Sequence, residues 1–551
     1  MNLLIWDDNM SRGIAFDIGT SGFRVQLVDL ETKKVLRTAI TLRHPLPGAN
    51  VMDHLNFAIK VSEDIAHKLM IKAFEKILGQ MNIDLGSIEK IAVCGNPIQL
   101  SLFEGISIKD LAYADPKYLE AEKIEIQPRN AKVVSSQELG IEGRDVDVLI
   151  PPAIKHEIGA DALAMMLKSN FLDNKEISLV TDYGTNAEMA LKVGDKIFTG
   201  SAASGPALEG QEISSGMLAS PGAISDVVLD FGWHTLVLDE NMMPQSVRVL
   251  DLWKEEFRGN KLSNIQPIGI TGTGVISVVY AGLETGVIEL PYIYTKTRRL
   301  RLDENIYFTE DDLKEAGKAI GAIRAGHLTL AQEAGINLEE VKTMYMCGAS
   351  GTYVDAMKSR KIGLIPPTIQ KVYQVGNTSL LLAYDVLVGN YTLEELQKLA
   401  DKIRSKHIMF ATSKIFTDIY VQELAYWEQG MSMEKYNEML TLNNIQQLPS
   451  VKGDLQINKI VKRDIPDIGE ELKVIDRIGV ELFAQFEGCI GCKKCEKVCP
   501  ERALKVEEIE EGYFKIRILS ERCNGEACLR CQSSCPYKVF KFEKLTESLD
   551  R

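Results

Sequence analysis

Eight of the ten cysteines of this 551-residue chain lie within its last sixty-odd residues, in a spacing that could hold a redox metal centre. Cys489, Cys492, Cys495 and Cys499 stand in "CIGCKKCEKVCP", and Cys523, Cys528, Cys531 and Cys535 in "CNGEACLRCQSSCP". Three closely spaced thiolates cap one face of an iron–sulfur cubane, and the chain then turns away at proline. Structural zinc also accepts CxxC pairs, but it needs neither the doubled three-plus-one spacing nor the two prolines. The second run carries two extra residues between its first two cysteines, at a place where hydrogen bonds around a cluster would be tuned.

A second chemistry is written upstream. Asp17 and Asp182, 165 residues apart, each end an apolar run and open an Asp-x-Gly-Thr turn, "DIGTSG" and "DYGTNAE". Glycine in such a hairpin lets backbone N–H groups approach phosphate oxygens, the threonine hydroxyl adds a donor, and the aspartate can hold Mg2+ through water. No GxxxxGK[ST] occurs, so the cradle is not a P-loop. One hairpin of this kind is commonly an ordinary tight turn, whereas two in related lobes are read as a nucleotide clamp.

The elements that must position these residues follow from local pattern. "GIAFDIGTSGFRVQLVDL" reads as strand, glycine turn, strand, and "ISLVTDYGTNAEMALKVG" repeats it, which predicts two related lobes facing each other. "EDIAHKLMIKAFEKILGQM" reads as a helix. "IGITGTGVISVVYAGL" and "MYMCGASGTYVDAM" read as strand, glycines and helix, an arrangement that aims N–H groups at a ligand. The pattern is α/β. It becomes helical from about residue 392, and "LPSVKGDLQINKIVKRDIPDIGE" reads as a polar connector. The expected domains are 1–175, a first lobe with a small middle region; 176–400, a second lobe; 401–478, a helical region and linker; and 479–551, the cysteine-rich domain.

Composition excludes several functions. With 63 basic against 77 acidic residues, a net charge of −14, the chain is not expected to bind nucleic acid. "KTRRLR" at 296–301 reads as a solvated strand face. No charge-free apolar stretch is long enough to span a bilayer, so no membrane association is expected, and the cysteine usage suits a reduced, cytoplasmic setting. Cys94 and Cys347 read as buried small hydrophobes, and the scattered histidines, His44, His54 and His156 among them, as structural.

The two cysteine runs resemble those of bacterial two-cluster ferredoxins. That resemblance implies two 4Fe-4S clusters, one held by Cys489, Cys492, Cys495 and Cys535 and the other by Cys523, Cys528, Cys531 and Cys499, because the fourth cysteine of each run crosses over. "DIGTSG", "DYGTNAE" and "CGASGTYVDA" resemble the two phosphate motifs and the adenosine motif of the acetate and sugar kinase, heat-shock ATPase and actin superfamily. More narrowly, "DYGTNAEMAL", "SAASGPALEG", "ITGTGVIS" and "VGNTSLLLAYD" in this order resemble the reductive activators of corrinoid-dependent methyltransferases. Within that group, two cubane motifs at the end of the chain are the layout of the activases that serve methylamine methyltransferases.

The resemblance implies a two-lobed actin-like ATPase followed by a small α+β ferredoxin-like domain, with ATP, Mg2+ and the two clusters as cofactors. Asp17 and Asp182 would organise Mg2+ and the attacking water, with Glu188 as a metal or water partner. Gly19, Thr20, Ser21, Gly22, Gly184, Thr185 and Asn186 would hold phosphates, Gly272 and Gly274 would contribute N–H groups, and Gly348, Ser350 and Gly351 would border the nucleoside. The implied activity is ATP-dependent reduction of an inactive Co(II) corrinoid protein to Co(I), with that protein and a low-potential electron donor as partners. The Gly/Ser/Ala-rich loop 201–216, through Ser204 and Glu209, is read as facing the partner's cobalamin. Three other readings stay open: an ATP-driven electron injector for another metalloenzyme, a small-metabolite kinase with a fused ferredoxin, and an electron carrier with a vestigial ATPase.

Overall fold

The computed structural model describes residues 11–113, 116–154, 158–184, 186–203, 205, 207, 210, 212–251, 255–403 and 405–547. The chain forms two compact units, one made of 1–161, 382–401 and 467–551 and the other of 162–381 and 402–466. Among the described residues no helix is long and apolar enough to cross a membrane.

In the first unit the run Arg12–Ile18 is buried at every position, as a strand covered on both faces must be, and forms β1. The chain reverses through residues 19–22 into β2 (Phe23–Asp29), continues into β3 (Lys34–Thr41), and returns beside β1 as the parallel strand β4 (Ile88–Gly95). The complete sheet has the order 471–475, β3, β2, β1, β4, 147–150, 132–135.

Helices α1 (Val51–Lys60), α2 (Glu63–Gln80) and α3 (Pro97–Glu104) start at side-chain caps. Asn50, Ser62 and Asn96 accept from the backbone N–H groups of Asp53, Ile65 and Gln99. Caps of this kind contribute about 1 kcal/mol each. Their apolar faces meet the sheet around Phe16, whose ring stacks on Phe74 at 4.9 Å and meets Phe103 edge-on at 5.7 Å.

The second unit repeats the plan. Strands β5 (Ser178–Tyr183), β6 (Asn186–Val193) and β7 (Lys196–Ala203) form an antiparallel meander. The strand β8 (Thr343–Cys347) lies parallel to β5 on its other side, followed by β9 (Lys371–Gly376). The order β7, β6, β5, β8 therefore matches β3, β2, β1, β4. Register matches as well: Asp17 faces Cys94 across β1 and β4, and Asp182 faces Cys347 across β5 and β8.

Within the segment read as a polar connector, Gln456–Lys459 adds a parallel strand to β9 of the second unit. Glu471–Ile475 adds one to β3 of the first. Both are edge strands with mostly exposed side chains, so their sequence lacks the apolar alternation by which strands are recognised.

Helix α4 (Gly272–Thr285) packs on a separate five-stranded sheet containing Ala223–Leu229. The long α5 (Glu310–Ala334) begins at a capping box between Thr309 and Asp312. It packs against a helix at Lys414–Gln429, where Gly317 leaves room for the Trp427 ring and Gly321 for the Glu423 stem. This contact contains a buried ion pair, Arg324 Nε and Nη2 to the two carboxylate oxygens of Glu423 at 2.7 and 2.5 Å, with Tyr436 Oη also donating to Glu423.

The cysteine-rich end belongs to the first unit. It is a small antiparallel sheet in the order 504–510, 513–519, 481–485, 546–547, with short helices at Lys494–Lys497 and Arg530–Ser533. Its two halves repeat each other. The residue after the second cysteine of each run is left-handed, Lys493 at φ 55° and Leu529 at φ 41°, and so is the third residue after each fourth cysteine, Arg502 at 51° and Lys538 at 54°.

Removing one member of the Arg324–Glu423 pair strands a buried charge, at a cost of about 3–5 kcal/mol. Glu423→Ala should therefore lower the denaturant midpoint of the second unit strongly. The double change Arg324→Met with Glu423→Leu should recover most of the loss in the same urea titration.

Candidate functional site

Two groups of side chains are brought together, and each is built by local chain geometry. The first is the pair of aspartate hairpins. In the first unit Asp17 is 4% exposed at the end of β1, and Arg24, its cross-strand partner on β2, comes within 4.0 Å of its carboxylate. Arg24 Nη1 also donates to the Gly22 carbonyl at 3.2 Å and so closes the turn. A side chain at Gly19 would overlap the Gly22 carbonyl, so the turn can be this tight only with glycine there. Thr20 Oγ1 accepts from Asn96 Nδ2 at 3.0 Å, and Ser21 is buried in the same turn.

In the second unit Asp182 is half-buried at the end of β5, and its cross-strand partner on β6 is Glu188. Asp182 and Glu188 are both half-buried and stand directly opposite each other across β5 and β6, which places them on one face of the sheet. Ser201 Oγ donates to Glu188 Oε1 at 3.3 Å. The hairpins thus share a backbone plan and differ in charge: aspartate with arginine in one, aspartate with glutamate in the other. A carboxylate pair of this kind suits a hard cation, whereas the arginine-paired aspartate is already partly neutralised. Thr185 lies outside the described residues, as do Ser204, Glu209 and His156.

The remaining nucleotide-site expectations fall at two helix starts. Gly348, Ser350 and Gly351 lie in a short helix, Gly348–Tyr353, directly after β8. Gly348 has φ 81°, and a Cβ there would overlap Asp182 Oδ1, so glycine is what lets this turn pass the carboxylate. Gly272 and Gly274 are buried in the first turn of α4, where Thr271 Oγ1 accepts from the Gly274 N–H at 3.1 Å. Gly274 lets that turn approach the Ile224 carbonyl.

The second group is the set of eight thiols, none of them in a disulfide. Cys489, Cys492, Cys495 and Cys535 line one pocket with Ile490, Val506, Ile516, Tyr537 and Phe540. Cys499, Cys523, Cys528 and Cys531 line another with Ala503, Leu504, Ile518 and Phe542. Each cavity therefore takes three cysteines from one run and the fourth from the other. The apolar walls and four converging soft ligands fit iron–sulfur groups. Backbone donors fit them too, the Ala503 N–H pointing at Cys499 Sγ from 3.2 Å.

Burial pushes the Cys495 thiol up to about 11 and the Cys523 and Cys531 thiols up to about 12. At Cys535 burial acts the same way, but backbone N–H groups of residues 537–540 outweigh it and the thiol becomes more acidic than usual. Cys94 and Cys347 are buried strand residues.

Sequence reasoning passed over His44 and His54 because neither has metal-ligand spacing. The structure stacks them, ring centroids 4.0 Å apart, in the interior of the first unit. Burial, with His54 alongside, pushes His44 well below the usual histidine range, and burial lowers His54 to about 3.

Residues 12–174 match the model described as the RACo middle region, 176–437 the C-terminal domain of RACo, the ASKHA domain, and 488–539 a 4Fe-4S dicluster domain. A [Co(II) methylated amine-specific corrinoid protein] reductase of Methanosarcina barkeri is 48% identical over 517 residues, covering 93% of this chain and 95% of that protein. Corrinoid activation enzyme RamQ of Eubacterium limosum is 25% identical over 389 residues, covering 64% of this chain and 60% of its own length. A solved structure of a reductive activator for corrinoid, iron–sulfur protein superposes with a TM-score of 0.61 at 26% identity, covering 75% of this chain and 66% of that one.

Two outcomes follow for the thiols. Metal binding must strip protons from thiols whose affinity for them is raised, so iron uptake by the apo chain should strengthen as pH rises from 6.5 to 8.5, by about tenfold per pH unit for each proton displaced. Gly491→Ala, with φ 65° and a Cβ that would overlap the Phe514 ring, should lower iron per chain measured by elemental analysis.

Proposed function

Because the chain belongs to the family of reductive activators of corrinoid proteins, we propose that it uses ATP to return the Co(II) of a partner corrinoid protein to Co(I) in a methylated-amine methyltransferase system. The observation that carries this reading is the union, in one chain, of a duplicated aspartate-hairpin fold with an eight-thiol tail, at 48% identity over 93% of its length to a reductase of that specificity. The partner is the corrinoid protein, a low-potential carrier supplies the electron, and the protein acts in the cytoplasm.

Two 4Fe-4S groups would be held by the two cysteine quartets, and ATP with Mg2+ by the hairpins; when bound, the first supply one-electron carriage and the second the driving free energy. The chain's own residues do the rest. Asp182 and Glu188 would hold a hydrated cation, and Asp17, steadied by Arg24, would orient water. Gly19, Thr20, Ser21, Gly22, Gly184, Thr185 and Asn186 would hold phosphate. Gly348, Ser350 and Gly351 border the nucleoside, and Gly272 and Gly274 set the first turn of α4.

Energetics explain why both parts are needed. Moving a substrate cobalt from one site in a hundred reduced to ninety-nine in a hundred takes four decades, about 5.5 kcal/mol, or about 240 mV for one electron. A carrier at fixed potential cannot supply this. An ATPase that binds its partner differently in two states can, by favouring a cobalt coordination that is easier to reduce.

The test is the cobalt absorption spectrum of a methylamine corrinoid protein mixed anaerobically with this chain, reductant and Mg–ATP. Co(I) should form only with nucleotide. Asp182→Asn should slow its formation by about 100-fold or more, about 2.7 kcal/mol of barrier. Full Co(I) formation without ATP would refute the proposal.

A further inference from the structure

The two extra residues of the second cysteine run form a feature that the first run lacks. The chain after Cys523 makes a short turn, Gly525–Ala527, and this turn lies against α1 and the segment before it. The Gly48 N–H donates to the Cys523 carbonyl at 2.8 Å, Gly525 fits against the Pro47 backbone, and Glu526 pairs with Lys60. Nearby, Phe542 of the same cavity wall meets Phe57 of α1 edge-on at 6.3 Å. One cysteine quartet is therefore seated directly on the unit that carries the Asp17 hairpin.

A line of polar contacts leads from that seat back to the hairpin. Leu46 N–H donates to His44 Nδ1 at 3.2 Å, and His44 stacks on His54. Gln99 Nε2 donates to His54 Nδ1 at 2.8 Å. The Gln99 N–H donates to Asn96 Oδ1 at 2.9 Å, and Asn96 Nδ2 donates to Thr20 Oγ1 in the hairpin turn. A second route is apolar: Phe23, the residue after Gly22, meets the His44 ring edge-on at 5.0 Å.

This chain of side chains is only partly satisfied. His44 Nε2, His54 Nε2 and Gln99 Oε1 are buried without a well-formed hydrogen bond, although the Gln99 side chain lies near enough to His44, and the Gly48 backbone to His54, to favour their charged forms. Packing alone would be better served by apolar side chains of the same volume, because a half-satisfied polar network is less stable than an apolar core. Partners left open also allow a second arrangement.

We propose that Gln99, His54 and His44 are positioning residues that transmit the state of the Asp17–Gly22 hairpin to the backbone carrying Cys523. The inference rests on the reading that this hairpin takes nucleotide phosphate. A phosphate that engages the Thr20 hydroxyl changes what Asn96 can hold. Asn96 is also the cap of α3, so its movement moves the turn that carries Gln99. Gln99 and Phe23 then act on the stacked imidazoles, and these on residues 46–48, which grip the Cys523 carbonyl. Hydrogen bonding and solvent access around the sulfurs set the potential of an iron–sulfur group, so the quartet Cys499, Cys523, Cys528 and Cys531 would respond to nucleotide while the other would not.

The test uses the anaerobically reconstituted full chain, with iron content, affinity for a non-hydrolysable ATP analogue, and the electron paramagnetic resonance spectrum during redox titration all measured. In the wild type, saturating Mg–analogue should change the reduced-to-oxidised ratio of one signal by about tenfold at fixed potential, about 59 mV for one electron. In Gln99→Leu, and in His54→Phe, which keeps a ring in the stack, iron content and analogue affinity should be retained while the change falls below about twofold. An undiminished change in both variants would overturn the linkage, and so would a wild-type spectrum indifferent to bound analogue, with the activation reading left standing on its cobalt assay. A chain that binds no analogue would overturn the hairpin reading and this linkage together.

Discussion

The structure depends on one constraint: an aspartate at the second-last position of a buried central strand, just before the chain reverses into an antiparallel neighbour. A strand covered on both faces can end in a charge only where its sheet opens, and a reversal that tight needs glycine beside the carboxylate. Asp17 and Asp182 both meet this condition, each in register with a buried cysteine on the parallel strand alongside. The meander on one side, the parallel strand on the other and the helices that cover them are what hold those two carboxylates in place.

Within that repeated frame the two hairpins have diverged where chemistry requires it. Opposite Asp17 stands Arg24, which ties the carboxylate and the turn carbonyl together. Opposite Asp182 stands Glu188, which adds a second negative charge to the same face. Asp182 is crowded on another side by the chain at Gly348, whose left-handed backbone passes the carboxylate because it has no side chain. Equal backbones with opposite partners give one carboxylate beside an arginine and one beside a second carboxylate.

The cysteine-rich end shows the same logic of duplication and departure. Left-handed residues recur at matching places in both runs, and the fourth cysteine of each run completes the other's cavity. The departure is the inserted turn at Gly525–Ala527, which lies against α1. Burial makes the Cys523 and Cys531 thiols reluctant to lose protons, so a metal that fills this pocket must displace them.

Much of this was legible beforehand because it is local. Cysteine spacing, the Asp-x-Gly-Thr turns and the glycine-to-helix transitions depend on a few consecutive residues, and their meaning survives without knowledge of what packs on them. The edge strand 456–459 was read as connector, and 471–475 was placed in the helical region and linker, because their stability comes from a neighbour's backbone and leaves no apolar pattern. Glu188 was read from its position as a metal or water partner; that it faces Asp182 across the hairpin is a matter of register. The stacked histidines were invisible as a pair, since ten residues separate them and only the meeting of α1 with the loop before it brings the rings to 4.0 Å. Sequence alone determined which atoms could bind metal and phosphate, because ligand type and short spacing are covalent facts; tertiary structure decided which charges face each other and what each thiol leans on, because those are settled by long-range packing.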